Sequence, residues 1–229
     1  MRIVFPFIAV MALILLAVVG VGANMHFLFG VVIPYAAVSI FLVGMVLRVV
    51  KWAASPVPFC IPTTCGQQKT LPWIKQSKLE NPSNTVGVIG RMALEIFLFR
   101  SLFRNIKGDI KDQSRLVYGS DKWLWAAGLA FHYSFLIVLL RHLRFFAEPV
   151  PVVMHLMETL DGFLQIGAPR LMATGLVLLG AVAFLFLRRL YLPQVRYISL
   201  AADYFPLFLI MGIASTGILM RYFFKTDIV

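Results

Sequence analysis

The stretch WLWAAGLAFHYSFLIVLLRHLRFF, residues 123–146, decides the class of fold. From Trp123 to Leu140 it contains no Asp, Glu, Lys or Arg. A helix of about 20 apolar residues crosses the hydrocarbon core of a bilayer. Because lipid offers the backbone no hydrogen-bonding partner, a single crossing segment must pair its own peptide groups. The stretch therefore predicts a transmembrane helix.

Four further apolar stretches extend this prediction to the whole chain, at about 3–22, 27–47, 167–187 and 205–223. The 229 residues are 60% hydrophobic and 14% charged, a composition that a soluble domain of this size cannot bury. We expect an all-α integral membrane bundle, a single membrane domain over 1–229 with five spans. The first span lacks a signal-peptide cleavage pattern after residue 20 and is interpreted as a retained anchor.

The loop 52–122 is long for a membrane bundle and predicts a docking surface for a cytoplasmic subunit, with a solvated connector as the alternative. Within it, 86–103 is apolar but carries Arg91, Glu95 and Arg100 and is followed by Arg104, and charged residues are costly at a bilayer centre. We interpret 86–103 as a helix at the membrane interface or against a partner.

The distribution of basic residues predicts the orientation. Sixteen of the 21 Lys and Arg residues are Arg2, the twelve between Arg48 and Lys122, or the three in loop 188–196. Positive charge collects on the cytoplasmic side, so these segments and the N-terminus are expected there. The net charge of +11 is explained by these loops, and no nucleic-acid partner is expected.

His132 and His142 lie ten residues apart in one predicted span. That spacing is about 15 Å along a helix and roughly 80° around it, which suits axial ligands of two stacked haems facing one bundle interior. Gly128, one turn before His132, would leave room for a flat macrocycle. The alternatives are a hydrogen bond from His132 to a neighbouring helix and a hydrated boundary at His142. Arg141 and Arg144 are candidate partners of haem propionates, or they reach lipid headgroups.

The remaining chemistry-bearing residues give weaker signals. His26 and His155 fall at span boundaries or in loops, where solvated histidines are usual. Cys60 and Cys65 have no further cysteines with which to complete a zinc or iron–sulfur site. We expect no catalytic residue in this chain.

Several loop motifs resemble those of a known family, the membrane cytochrome b subunit of the Dsr complex of sulfur-metabolising prokaryotes. That subunit is similar in turn to the gamma subunit of respiratory nitrate reductase. The resemblance covers nearly the whole chain and is carried by the segments 55–75, 118–123, 140–146, 193–199 and 202–208.

The resemblance implies two b-type haems, with His132 and His142 as one ligand each and a second pair on a later helix. It also implies menaquinol or quinone as redox partner, a cytoplasmic iron–sulfur subunit related to heterodisulfide reductase, and other membrane and periplasmic subunits. The expected location is the prokaryotic cytoplasmic membrane. No histidine follows His155, so we expect a truncated chain with a further span beyond Val229. The alternatives are a haem-free membrane anchor and the cytochrome b subunit of a related heterodisulfide-reductase-like complex.

Overall fold

The computed structural model describes residues 2–55, 73, 78–80, 82–104, 107–111, 115–163 and 170–225. It confirms the predicted fold class, a helical membrane bundle. Five helical segments in the described part of the chain are long and apolar enough to cross a membrane. They are Val4–Gly22, Leu28–Ala53, Lys122–Phe146, Ala173–Tyr191 and Ala201–Tyr222.

The elements follow one another along the chain as a helical bundle interrupted by one short hairpin. The helices are α1 (Val4–Gly22), α2 (Ile33–Ala53), α3 (Thr85–Leu98), α4 (Arg100–Phe103), α5 (Lys122–His142), α6 (Val152–Asp161), α7 (Ala173–Tyr191), α8 (Pro193–Ile198) and α9 (Ala201–Tyr222). A π-helical turn, Leu28–Val32, leads into α2, and a 3-10 turn, Leu143–Phe146, extends α5.

Two helices extend a few residues beyond the predicted spans. In both, polar side chains at the helix end can be accommodated without breaking the helix. Helix α2 continues to Ala53, past Arg48, since a long basic side chain can reach the headgroups from a helix end. Helix α9 begins at Ala201, before the predicted 205. Its start is stabilised by Asp203, whose Oδ2 accepts a hydrogen bond from Leu200 N at 2.8 Å.

Residue contacts divide the chain into two compact units, Met11–Ala93 and a larger one comprising Met1–Val10 with Leu94–Val229. In the larger unit α7 packs against both α5 and α9. Many of its buried side chains are small, as is usual where membrane helices approach closely. The buried residues of α5 are Ala127, Gly128 and Ser134, and those of α7 are Leu178, Ala181 and Val182.

The loop before α5 contains an element that the sequence analysis did not predict. Strands β1 (Lys107–Lys111) and β2 (Arg115–Gly119) form an antiparallel pair in which Gly108 lies opposite Tyr118. The run Leu116-Val117-Tyr118 has the β-branched and aromatic composition of a strand, but it is too short to stand out between two apolar spans.

Candidate functional site

Helix α5 carries both candidate haem ligands, and its first turn is fixed by a carboxylate. Asp121 Oδ1 accepts a hydrogen bond from Leu124 N at 3.1 Å, which caps the helix. The other oxygen, Oδ2, pairs at 2.8 Å with Arg188 Nη2 near the end of α7. The start of α5 and the end of α7 therefore lie at the same end of the bundle.

The two imidazoles make the same hydrogen bond to their own helix. His132 Nδ1 lies 2.7 Å from Gly128 O, and His142 Nδ1 lies 2.7 Å from Val138 O. A carbonyl oxygen only accepts, so each Nδ1 is the protonated nitrogen. This leaves the lone pair of Nε2 free in both rings. A neutral imidazole held in this way is oriented as a metal-ligating histidine is by its second hydrogen bond.

Both rings are exposed in the described part of the chain. Ala127, Ser134 and Arg141 recur every seven residues on the packed side of α5, and His132 lies on the opposite side of the helix. The two imidazoles are thus open to a bulky ligand, whereas the sequence analysis expected them inside one bundle. The described elements leave their outer faces uncovered.

The segment joining α3 to α4 packs beside His132. Phe99 breaks the helix with a left-handed φ of 47°. Its ring meets the His132 imidazole edge-on, with centroids 5.0 Å apart. Glu95 holds the break, because its carboxylate accepts hydrogen bonds from Ser101 N at 2.9 Å and Ser101 Oγ at 2.7 Å.

Polar side chains of α5 satisfy the carbonyls that this break exposes. The last carbonyls of a helix have no partner within it. Tyr133 Oη donates to Phe97 O at 2.8 Å, and Trp125 Nε1 donates to Leu98 O at 2.7 Å. The end of α3 is therefore fixed against the first half of α5. Sequence analysis did not predict this contact.

Gly128 serves this contact, and the room expected there for a macrocycle is taken. A methyl group on Gly128 would lie 3.1 Å from Leu102 Cδ2. The small residue allows α4 to approach α5 one turn before His132. Space for a haem beside His132 must therefore lie on the uncovered side of the imidazole.

Both arginines near His142 pair with acidic residues of α6. Arg141 forms an ion pair with Asp161, and their side chains are only 11% and 2% exposed. Asp161 also accepts from Thr174 N at 2.7 Å and from Thr174 Oγ1 at 2.5 Å. Among the described residues, Arg141 Nε is buried without a hydrogen-bond partner. This N–H group is enclosed by the packed helices.

Arg144 occupies a more open position than Arg141. Its Nη1 lies 2.6 Å from Glu158 Oε1, and the two side chains are 35% and 24% exposed. The guanidinium also lies over the Phe145 ring, 5.1 Å from its centroid, and the same ring approaches His142 at 5.8 Å. The roles of Arg141 and Arg144 toward propionates stay predictions.

The acidic partners on α6 were missed by the sequence analysis, although a signal was present. Arg141 and Arg144 are three residues apart, and so are Glu158 and Asp161. Residues three apart share a helix face, so two short helices can match two charges with two. A search for equal charge spacing on either side of a loop would have found the pairs.

The other residues singled out from the sequence are His26, His155, Cys60 and Cys65. His26 and His155 are exposed, the latter on α6. Cys60 and Cys65 lie outside the described residues, as does most of the 55–75 segment. Within the described ranges, no group of three or more His, Cys, Asp or Glu side chains is arranged to hold a metal ion.

The fold and this helix define a multi-pass membrane protein that presents two similarly oriented imidazoles on one span. The chain belongs to the nitrate reductase gamma subunit family, whose model matches residues 87–228. The matched part contains both histidines and excludes α1 and α2. This confirms the family resemblance found in the sequence.

Two curated relatives match most of the chain. It is 42% identical over 204 residues to a protein of Archaeoglobus fulgidus, with 88% of this chain and 60% of that protein covered. It is 40% identical over 200 residues to one of Archaeoglobus profundus, with 86% and 59% covered. Both are called Hdr-like menaquinol oxidoreductase cytochrome b-like subunit. The chain thus spans about 60% of the length of these relatives. No solved structure matches the chain.

Proposed function

We propose that the chain is a b-type dihaem membrane subunit that passes electrons between menaquinol or menaquinone and a cytoplasmic iron–sulfur subunit in dissimilatory sulfur metabolism. One observation carries the haem assignment. Both imidazoles of α5 direct Nδ1 to a backbone carbonyl one turn earlier and keep Nε2 free. The two rings lie ten residues apart on one span, which is the spacing expected for two stacked haems.

The donor set fits haem. Neutral imidazole is a usual axial ligand of haem iron, and both histidines are exposed in the described part of the chain. When bound, each haem supplies a one-electron carrier. His132 and His142, about 15 Å apart along the helix axis, would each hold one haem iron. Arg141 and Arg144 are the candidate donors to a propionate of the haem at His142, and Arg144 is the more exposed of the two.

A low-spin b haem needs two axial ligands, and each imidazole here supplies one. His26 and His155 are the remaining histidines of the chain. By the charge-based topology both lie toward the outer face, too far from a haem at His132. We propose that the second ligand at His132 comes from a residue outside this stretch, in the same protein or a partner. The uncovered outer face of the imidazole is where that residue would approach.

The names of the relatives support the redox partners. Both include menaquinol oxidoreductase and the term Hdr-like. They favour an iron–sulfur partner related to heterodisulfide reductase, with other subunits in the complex. In the proposed orientation the N-terminus and the loop between α2 and α5 face the cytoplasm, and His132 lies nearer that side.

A reduced-minus-oxidised absorption spectrum of the purified full-length protein tests the proposal against a haem-free anchor. We expect a b-type alpha band, and a further difference spectrum on adding a menaquinol analogue to the oxidised protein. A protein that folds in the membrane and shows no such band is an anchor, and the proposal is then wrong.

A further inference from the structure

A basic cavity lies at the end of the bundle where α9 begins and α7 ends. Its volume is about 410 Å³, and it is lined by Arg2, Ile3, Pro193, Arg196, Tyr197, Ser199 and Tyr204. Two of these residues are arginines and none is acidic. Neither guanidinium group forms an ion pair with a carboxylate in the part of the chain that the structure describes, so the lining has the charge of an anion site.

The wall of the cavity is built from ordered parts of the bundle. Ser199 is 1% exposed, and its Oγ accepts from Arg189 Nη1 at 3.1 Å and donates to Val195 O at 2.7 Å. Tyr204 is also 1% exposed, with its ring against Phe186. No hydrogen bond of the Tyr204 hydroxyl is found among the described residues, so this group remains available to a ligand.

The first residues of the chain complete the cavity. Arg2 Nη1 reaches Tyr197 O at 3.4 Å, and Phe7 packs edge-on against Phe208 of α9 with centroids 5.5 Å apart. Pro6 is almost fully buried. These contacts hold Arg2 beside Arg196 although the two are far apart in sequence. Arg2 also lies outside residues 87–228, the part that matches the family.

Charges nearby do not cancel the two arginines. Asp203, one residue before Tyr204, is absent from the cavity lining and is directed to the backbone at Leu200 N. Arg189 ends α7 at the same end of the bundle, whereas the neighbouring Arg188 is paired with Asp121. The local field therefore favours an anion.

Exposed apolar side chains adjoin the lining residues in sequence, and they favour a lipid over a free anion. Large side chains next to the lining residues in sequence are strongly exposed, among them Phe5 (70%), Ile198 (73%) and Leu200 (60%). All three lie at the boundary of a membrane span, where such side chains meet acyl chains. A ligand with a phosphate and an acyl tail satisfies both surfaces at once.

We propose that this cavity binds the phosphate of an anionic phospholipid, with Arg2 and Arg196 as its ligands. Basic pockets between membrane helices on the cytoplasmic side bind anionic headgroups in this way. A lipid bound there would contact both Arg2 in the N-terminal segment and Arg196 in α8. The site is independent of haem and of the proposed electron transfer.

Native mass spectrometry of the full-length protein, delipidated in detergent and mixed with phosphatidylglycerol or phosphatidylcholine, tests the site. We expect preferential retention of phosphatidylglycerol. Retention should fall about tenfold in the double variant Arg2→Gln/Arg196→Gln, which loses two charge-assisted contacts. The matched control is Arg48→Gln, an exposed arginine of α2 that stacks on Trp52 and should retain the lipid as the natural protein does.

Three outcomes would overturn the proposal. Equal retention of the two lipids would show that the cavity does not discriminate between headgroups by their charge. Unchanged retention in the folded double variant, checked by circular dichroism, would place the lipid elsewhere. Displacement of phosphatidylglycerol by an equal concentration of inorganic phosphate would identify a free-anion site in its place.

Discussion

Each imidazole of α5 is oriented by the helix that carries it. The hydrogen bonds from His132 and His142 to carbonyls four residues earlier need no neighbouring element. Sequence spacing could therefore predict these two residues as a pair. The faces they present could not be predicted in the same way, because the packed side of α5 is set by small residues such as Ala127 and Ser134.

The partners of the two arginines beside His142 could not be predicted from the sequence of α5 alone. The guanidinium groups of these arginines meet carboxylates on α6, a helix that the sequence analysis had treated as loop. Asp161 also caps the start of α7 through Thr174. One carboxylate thus joins α5, α6 and α7.

The two ion pairs should contribute very differently to stability. Asp161→Ala leaves Arg141 buried without its partner and should lower the free energy of unfolding by about 3–5 kcal/mol. Glu158→Ala is the matched control, since its pair with Arg144 is partly exposed and is worth about 0–1 kcal/mol. Loss of helical circular dichroism on titration with a denaturing detergent measures both. Equal destabilisation by the two changes would contradict the assignment of Asp161 as the junction.

At the scale of elements, the lengths of the apolar stretches predicted the five spans. Polar contacts determined where the helices end. The segment 86–103 was expected to be one interfacial helix, and the structure has α3, a break at Phe99, and α4. Nothing in the local sequence requires that break. It is stabilised by Glu95 and Ser101 and by donors on α5, contacts that join residues up to 36 positions apart. Placement of this segment at the membrane interface stays a prediction.

Long-range pairing of this kind also brings the loop close to His132. The Phe99 ring and the Leu102 side chain lie against the half of α5 that carries this histidine. In the proposed orientation a partner bound to the loop therefore comes near the inner haem. If the proposed haem and cytoplasmic subunit bind as inferred above, this loop would lie between them.

At the scale of the whole molecule, the arrangement of α5, α7 and α9 agrees with the distribution of charge. Arg188 pairs with Asp121 where α5 starts, and Arg2 contacts Tyr197 near the start of α9. These residues gather at the end that the charge bias assigns to the cytoplasm.

A reporter fusion within residues 66–80 tests the orientation. Alkaline phosphatase fused there should be inactive and green fluorescent protein fluorescent, because the positive-inside rule places this loop in the cytoplasm. The matched control is a fusion after Pro149, between α5 and α6, which should give the opposite pair of signals. Phosphatase activity from the 66–80 fusion would reverse the orientation.

The haem content of histidine variants tests the central claim most directly. In the purified full-length protein, pyridine haemochrome analysis should give two haems b per polypeptide. His132→Ala and His142→Ala should each retain one, since each removes one axial ligand. His155→Ala, an exposed histidine of α6, should retain both. Two haems in the His132→Ala or the His142→Ala protein would contradict the account.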